Sequence, residues 1–296
     1  MLLLGLLWIA GLGILLVLGV SYAATIPLMR RRTPDDPDHP AAYGLPCEEV
    51  AFSSRDGLLL GGWWIPAPGV PQGTIILCSG QNGSMDKDLP QAVPLQRAGF
   101  NVLMFDFRAH GRSEGNTVTL GALEQADLFG ALDYLSAMRG IDRAGVLGFS
   151  MGAGVGLLVA AQDERVAALV VDGAFPQLAG LLAGYLRIKG VAGPLARGMA
   201  GLVLLVGSLR TRYQLYRANP IDLADRVNAP VLFIHGDRDP FVSVGEIERL
   251  AARVSGPHDL WRVADAGHRE AHRNRPEEYT RRVVEWFGGH LAGLDR

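Results

Sequence analysis

Short, nearly uninterrupted apolar runs recur along this chain and alternate with segments whose apolar residues fall three or four apart. The runs cover 74–79, 101–107, 143–149, 166–171 and 231–235, with a weaker last member at 259–263. Such brief, unbroken apolar stretches fit strands covered on both faces. Upstream, 49–54 and 58–65 flank Arg55-Asp56-Gly57, and Asp-Gly between two apolar runs signals a hairpin. The adjacent Trp63 and Trp64 must then face opposite sides, with at least one packed on the core. Between the runs, 120–138 sets Leu123, Ala126, Leu128, Ala131, Leu132 and Leu135 largely along one helical face, and 151–161, 244–254 and 276–291 read as further helices. Strands alternating with helices imply right-handed crossovers and a mainly parallel, doubly wound α/β sheet. Ligands in such sheets collect at the carboxyl ends of the strands.

Two stretches fall outside the alternation. Residues 2–28 carry no charged side chain and are long enough to cross a bilayer as a helix, and Arg30, Arg31 and Arg32 follow at once. A cleaved signal peptide is the competing reading, with Ser21-Tyr22-Ala23 as a small-x-small site. The run exceeds a signal core and no Lys or Arg precedes it, which favours an uncleaved anchor over 1–29. Arginines beside a span stay cytoplasmic, so the expectation is a single-pass protein of the cell membrane whose domain faces the cytoplasm. Residues 30–46, rich in Pro and Asp, read as a linker, and 47–296 as one domain. The second exception lies between the run ending near Asp172 and the run starting at Val231, too long for a simple crossover. Its apolar helical segments 175–186 and 192–209, followed by Arg210, Arg212 and Arg217, predict a cap at about 175–222 over the carboxyl edge of the sheet.

Composition narrows the picture in three ways. With 49% hydrophobic and 20% charged residues in 296, the chain can bury a large core and is not disordered. A formal net charge of -2 gives no ground to expect nucleic acid as a partner. Of the two cysteines, Cys47 and Cys78, the latter sits inside an apolar run and is expected to pack as a small hydrophobe rather than in a disulfide.

The chemistry centres on Gly148-Phe149-Ser150-Met151-Gly152, a G-x-S-x-G pentapeptide between an apolar run and a helical segment. A serine in a sharp strand-to-helix turn projects its hydroxyl clear of the sheet. An alcohol needs a base within hydrogen-bond reach, and the base needs a group to orient it. In this kind of sheet the partners follow in the order Ser, acid, His, each just past a strand. After the run at 231–235 come Asp237 and Asp239, which spacing alone does not separate; Asp172 is a third candidate with a stronger claim to a turn role. For the base, His268 follows Gly267 in the loop after the last run, ahead of His272, His235, His110 and His258. An oxyanion needs two preorganised N–H donors. Met151, directly after the serine, supplies one, and Gln81 in Gly80-Gln81-Asn82-Gly83-Ser84 supplies the other through its backbone.

Taken together, the Arg55-Asp56-Gly57 hairpin, Gly80-Gln81-Asn82-Gly83, the stretch from Asp106 to Ser113, the serine elbow, His235-Gly236-Asp237-Arg238-Asp239 and Gly267-His268 carry a family resemblance. From about Glu49 to Leu291 the chain resembles the α/β-hydrolase superfamily, in particular serine hydrolases related to bacterial membrane-tethered esterases and the serine aminopeptidase-like group. In that superfamily the acid often lies three residues after the glycine of a His-Gly pair, which implies Asp239 after Gly236. The Asp106 to Ser113 stretch looks like the family's structural loop, which makes Arg108, His110 and Ser113 non-catalytic. One departure stands out: many relatives have His-Gly where this chain has Ser79-Gly80, and that histidine supports the oxyanion loop. The resemblance implies an α/β-hydrolase with a Ser150, Asp239, His268 triad that cleaves carboxylic esters and needs no metal or organic cofactor, while the apolar helical cap and the anchor, rather than the resemblance, suggest acyl lipids as substrates. An amidase, a peptidase or a thioesterase would use the same triad, and a non-catalytic binding protein could keep the same fold.

Overall fold

The computed structural model describes residues 1–33 and 38–293, so 34–37 of the expected linker lie outside the described residues. The chain opens with helix α1 (Leu2–Met29), then the strands β1 (Glu48–Ser53), β2 (Leu59–Ile65) and β3 (Thr74–Cys78). Helix α2 (Leu89–Arg97), β4 (Asn101–Phe105), α3 (Glu124–Arg139), β5 (Ala144–Phe149), α4 (Met151–Ala160) and β6 (Val166–Asp172) carry the alternation forward. Two helices, α5 (Leu178–Ile188) and α6 (Gly193–Thr211), come before β7 (Val231–Gly236), α7 (Val244–Ala251), β8 (His258–Val263), α8 (Ala271–Asn274) and α9 (Pro276–Leu291). Each apolar run read as a strand is one, with ends shifted by a residue or two. Helix α2 escaped the reading because Pro90 and Pro94 interrupt its pattern; Pro90 sits in the first turn, where a missing N–H costs nothing.

The eight strands form one sheet in the order β1-β2-β4-β3-β5-β6-β7-β8. The hairpin β1–β2 is antiparallel and joins β4 antiparallel, and from β4 to β8 all pairings are parallel. Period-two alternation divides the apolar residues between two cores. Ile75, Leu77, Val102, Met104, Leu147 and Phe149 belong to one, while Ile76, Cys78, Leu103, Phe105 and Val146 belong to the other. Trp63 and Trp64 likewise enter opposite cores, and both are buried. Both cysteines are free, and Cys78 is fully buried.

The loop after β4 is held by charge. The Arg108 guanidinium reaches Asp127 at 2.6 Å and Asp56 at 2.6 Å, with Arg108 and Asp127 almost wholly buried, so this arginine ties the hairpin turn and α3 to the loop. The end of α1 is tied to the same region. Arg32 N–H donates to the Ala109 carbonyl at 2.7 Å, and the Arg31 guanidinium donates to the carbonyls of Gly115 and Gly111 at 2.7 and 2.9 Å. Helix α6 packs along α1, where Arg210 donates to the Thr25 hydroxyl at 3.0 Å.

Close approach of backbones explains a glycine inside α3. A Cβ on Gly130 would run into the Ser53 carbonyl and lie 2.8 Å from the Ser54 Cα, both backbone atoms of the hairpin. Helix propensity alone favours alanine there by about 1 kcal/mol. Overpacking against backbone costs about 1–3 kcal/mol and wins. Gly130→Ala therefore lowers the unfolding temperature of the full-length protein, measured by circular dichroism in detergent; an unchanged or raised value would show that the hairpin yields.

Candidate active site

Ser150 stands between β5 and α4 with φ 51° and ψ -106°, a strained conformation for a residue with a side chain. The neighbouring glycines make the turn possible. A Cβ on Gly148 would lie 2.6 Å from the Gly152 carbonyl oxygen, and one on Gly152 would strike the Cys78 carbonyl of the adjacent strand. The Ser150 N–H donates to the Asp172 carbonyl at 2.9 Å, which pins the turn to the end of β6.

The loops after β7 and β8 deliver the partners. His268 Nε2 lies 2.9 Å from Ser150 Oγ, and His268 Nδ1 lies 2.7 Å from Asp239 Oδ2. The two loops approach closely enough that a Cβ on Gly236 would overlap the carbonyls of Ala266 and Gly267. Asp239 Oδ1 accepts from the N–H groups of Phe241 and Val242 at 2.8 and 3.1 Å, which fixes the carboxylate plane. Burial pushes the Asp239 carboxyl up, yet the His268 contact and those two N–H groups outweigh it and hold its pKa below the ordinary aspartate value. A carboxyl lowered in this way stabilises the fold above the usual carboxylate range and loses that contribution only as pH falls through its own lowered value. The imidazole also meets the edge of Phe241, with ring centroids 5.0 Å apart at 85°, and Tyr185 of α5 stacks on Phe241 at 6.4 Å.

The remaining candidates fall elsewhere. Asp237 pairs with Arg262 at 2.9 Å on the surface. The Asp172 carboxyl is buried, and burial pushes it up to about 6 against the pull of Arg269 and His268. His235 is buried at the end of β7, where burial holds its pKa below the ordinary imidazole value. His272 packs its ring on Tyr279, and His258 faces the Gly256 carbonyl.

Met151 is the first residue of α4, so its N–H has no intrahelical acceptor and points out of the positive end of the helix. Gln81 follows β3, and Gly80 beside it lies so near the serine that a Cβ there would be 3.6 Å from the Ser150 Cβ. Among the contacts that hold the loop 80–88, which carries Gln81, are three that were not read from the sequence. Arg269 forms an ion pair with Asp88 and lies 4.5 Å over the Phe149 ring. His110 faces the Gln81 carbonyl with Nε2 at 2.9 Å and the Arg108 carbonyl with Nδ1 at 2.8 Å, so a neutral ring donates to one of the two. The Gln81 side-chain amide donates to the Leu28 carbonyl at 2.8 Å. The one available signal was the missing histidine before Gly80, which leaves the loop in need of another support. Among the described residues no group of His, Cys, Asp or Glu could hold a metal ion.

The alpha/beta hydrolase fold family matches residues 73–188, and a serine hydrolase family, FSH1, matches residues 131–272. The chain is 30% identical over 251 residues to YqkD of Bacillus subtilis, covering 81% of this chain and 79% of that protein. The chain belongs to the α/β-hydrolase family. This α/β-hydrolase is also 28% identical over 262 residues to the alpha/beta hydrolase domain-containing protein WAV2 of Arabidopsis thaliana, with 83% and 81% of the two chains covered. Among solved structures it superposes on the Pyrococcus furiosus esterase Pf2001 with a TM-score of 0.75 at 26% identity, covering 89% of this chain and 99% of that one. Against an esterase from Exiguobacterium antarcticum the TM-score is 0.60 at 18% identity, a likeness of fold.

The two acids that spacing left open are separable in this hydrolase by substitution. Asp239→Asn lets His268 adopt the wrong tautomer and lowers kcat by about 10⁴-fold. Asp237→Asn breaks only a surface ion pair, of the kind worth about 0–1 kcal/mol, and leaves kcat within roughly twofold. Steady-state hydrolysis of a chromogenic ester by the two variants checks the pair, and a reversed order would reassign the acid.

Proposed function

We propose that this α/β-hydrolase is a membrane-anchored serine hydrolase that cleaves carboxylic esters through an acyl-enzyme. The observation that carries the reading is the unbroken line from Asp239 through His268 to Ser150, with 2.7 and 2.9 Å between the polar atoms. Ser150 Oγ attacks the ester carbonyl while His268 Nε2 takes its proton. The carbonyl oxygen becomes an oxyanion held by the N–H groups of Gln81 and Met151. Collapse expels the alkoxide, which receives the proton from His268, and leaves the acyl group on Ser150. Water then attacks the acyl-enzyme with His268 as base, releasing the acid and restoring the serine. Asp239 keeps Nδ1 protonated and stabilises the imidazolium that forms twice in each cycle. The esterase likeness at 26% identity supports an ester over other acyl donors.

Acyl lipids are the substrates best suited to the surroundings. Among the described residues one helix, α1, is long and apolar enough to cross a membrane. Helix α6 lies along the carboxyl-terminal part of α1, and the helical pair exposes Ile188, Leu195, Leu205 and Leu209 as well as Tyr213 just beyond it. Apolar side chains and tyrosine beside a span suit the bilayer interface. Helix α5, through Tyr185 and Phe241, reaches the His268 ring, so a cap made by this pair would bring the interface to the reacting atoms. Arg30, exposed directly after the span, is consistent with a domain on the cytoplasmic side.

Two measurements test the reading. Ser150→Ala abolishes labelling by a fluorophosphonate probe that the unaltered protein takes up stoichiometrically; retained labelling would sink the nucleophile assignment. With p-nitrophenyl esters, kcat/KM rises at least roughly tenfold from acetate to octanoate, the worth of about two buried methylenes. A preference for short chains would remove the lipid part.

A further inference from the structure

The carboxyl end of α1 meets the loop that follows β3, and the contact is polar and specific. Helices end with carbonyls that lack an intrahelical donor. Here the Leu28 carbonyl, in the last turn of α1, accepts from Gln81 Nε2 at 2.8 Å and from Arg32 at 3.2 Å. The Gln81 backbone carbonyl is met in turn by His110 Nε2 at 2.9 Å. Gln81 is thus held at its amide side chain by α1, and its carbonyl faces His110 of the loop after β4. Ser79 supplies no such grip, since its hydroxyl is buried and has no hydrogen-bond partner among the described residues.

The Leu28 end of the contact is itself held in place. Met29 is 1% exposed, and its Sδ and Cε face Gly207 of α6, where an added Cβ would sit 3.5 Å from each. The Met29 carbonyl accepts from Val118 N–H at 2.9 Å. Arg32 exchanges hydrogen bonds with the 109–111 backbone, donating to Ala109 at 2.7 Å and accepting from Gly111 at 3.1 Å. Residues 28–32 are therefore stitched to α6, to the loop after β4 and to the loop after β3, a set of contacts that a passive tether does not need.

We infer that the carboxyl end of α1 is a positioning element of the active site: the Leu28 carbonyl, through the Gln81 side chain, sets the direction of the Gln81 backbone N–H toward the oxyanion. The inference rests on the ester-hydrolase reading with Gln81 as a donor and assigns the missing loop support to the membrane anchor. An oxyanion donor acts only if it points at the place where charge develops, and a displacement near 1 Å is worth about 10²-fold in rate. Ground-state ester binding owes little to that donor, so the contact acts on kcat rather than KM.

The test uses the full-length protein in detergent with two variants, Gln81→Leu, which removes the amide, and Gln81→Glu, which keeps its shape but presents a carboxylate to the Leu28 carbonyl. Both keep the backbone N–H, and both keep Ser150. Expected are a fall in kcat of about 10- to 10²-fold with KM within roughly threefold, slower but still stoichiometric fluorophosphonate labelling, and an unfolding temperature close to that of the unaltered protein. The glutamate variant keeps the test open if leucine fails to fold. Unchanged kcat in a folded variant overturns the inference, and so does a loss confined to KM. Absence of labelling in the unaltered protein would instead overturn the underlying serine-hydrolase reading, so the two failures are distinguishable.

Discussion

One imidazole has to touch two side chains that the chain keeps far apart. His268 meets Asp239, 29 residues away, and Ser150, 118 residues away, each through a single hydrogen bond. Hydrogen bonds tolerate only a few tenths of an ångström, so three loops must stop at the same height above the sheet. Parallel strands make this possible because β5, β7 and β8 all end on the same edge. The glycines at 148, 152 and 236 let those loops approach more closely than any side chain would permit. Gly173, with φ +71°, does the same beneath the ring, where a Cβ would lie 2.9 Å from His268 Cε1.

The same edge is shared with elements outside the sheet. Helix α5 closes on the loop after β7 so tightly that a Cβ on Gly184 would lie 2.7 Å from the Phe241 Cα, and Phe241 touches the His268 ring. On the other side α1 reaches the loop after β3 through Leu28 and Gln81. Because α6 packs on both α5 and α1, these three helices form one continuous body. A movement of α1 relative to the sheet would be felt at Gln81 and, through α6 and α5, at Phe241. That set of contacts gives α1 a physical route to both loops.

How legible this was differs from residue to residue. The strands β3 to β7 could be read because a strand covered on both faces leaves an unbroken apolar run, as at Thr74–Cys78, while β1 and β2 could be read from the Asp-Gly turn between them and β8 only from a weaker run. The serine and histidine could be read because each occupies a loop position that its glycine neighbours mark. Asp239 could not be told from Asp237 by spacing, since two residues apart in a loop leaves orientation undetermined; family resemblance favoured it, and the fold turns one toward His268 and the other to Arg262 on the surface. Helix α2 was hidden by its prolines. His110 was read as part of a structural loop, and the fold gives that structure a target, the Gln81 carbonyl. Within the expected linker, Arg31 and Arg32 reach the 109–115 backbone with hydrogen bonds that no local pattern announces.

By itself the sequence determined what local chemistry and periodicity can encode: the α/β alternation, the strained serine turn, the order of serine, acid and histidine, and an apolar helix long enough to span a bilayer. Hydrophobic spacing and glycine placement act within a few residues and need no partner to be read. Only the tertiary structure decided which acid faces the imidazole, how Phe241 and Tyr185 link α5 to it, and that the end of α1 caps its last turn with the Gln81 amide. Those are contacts between segments tens of residues apart, each depending on a direction in space, and direction is fixed only when the whole sheet and its covering helices have packed.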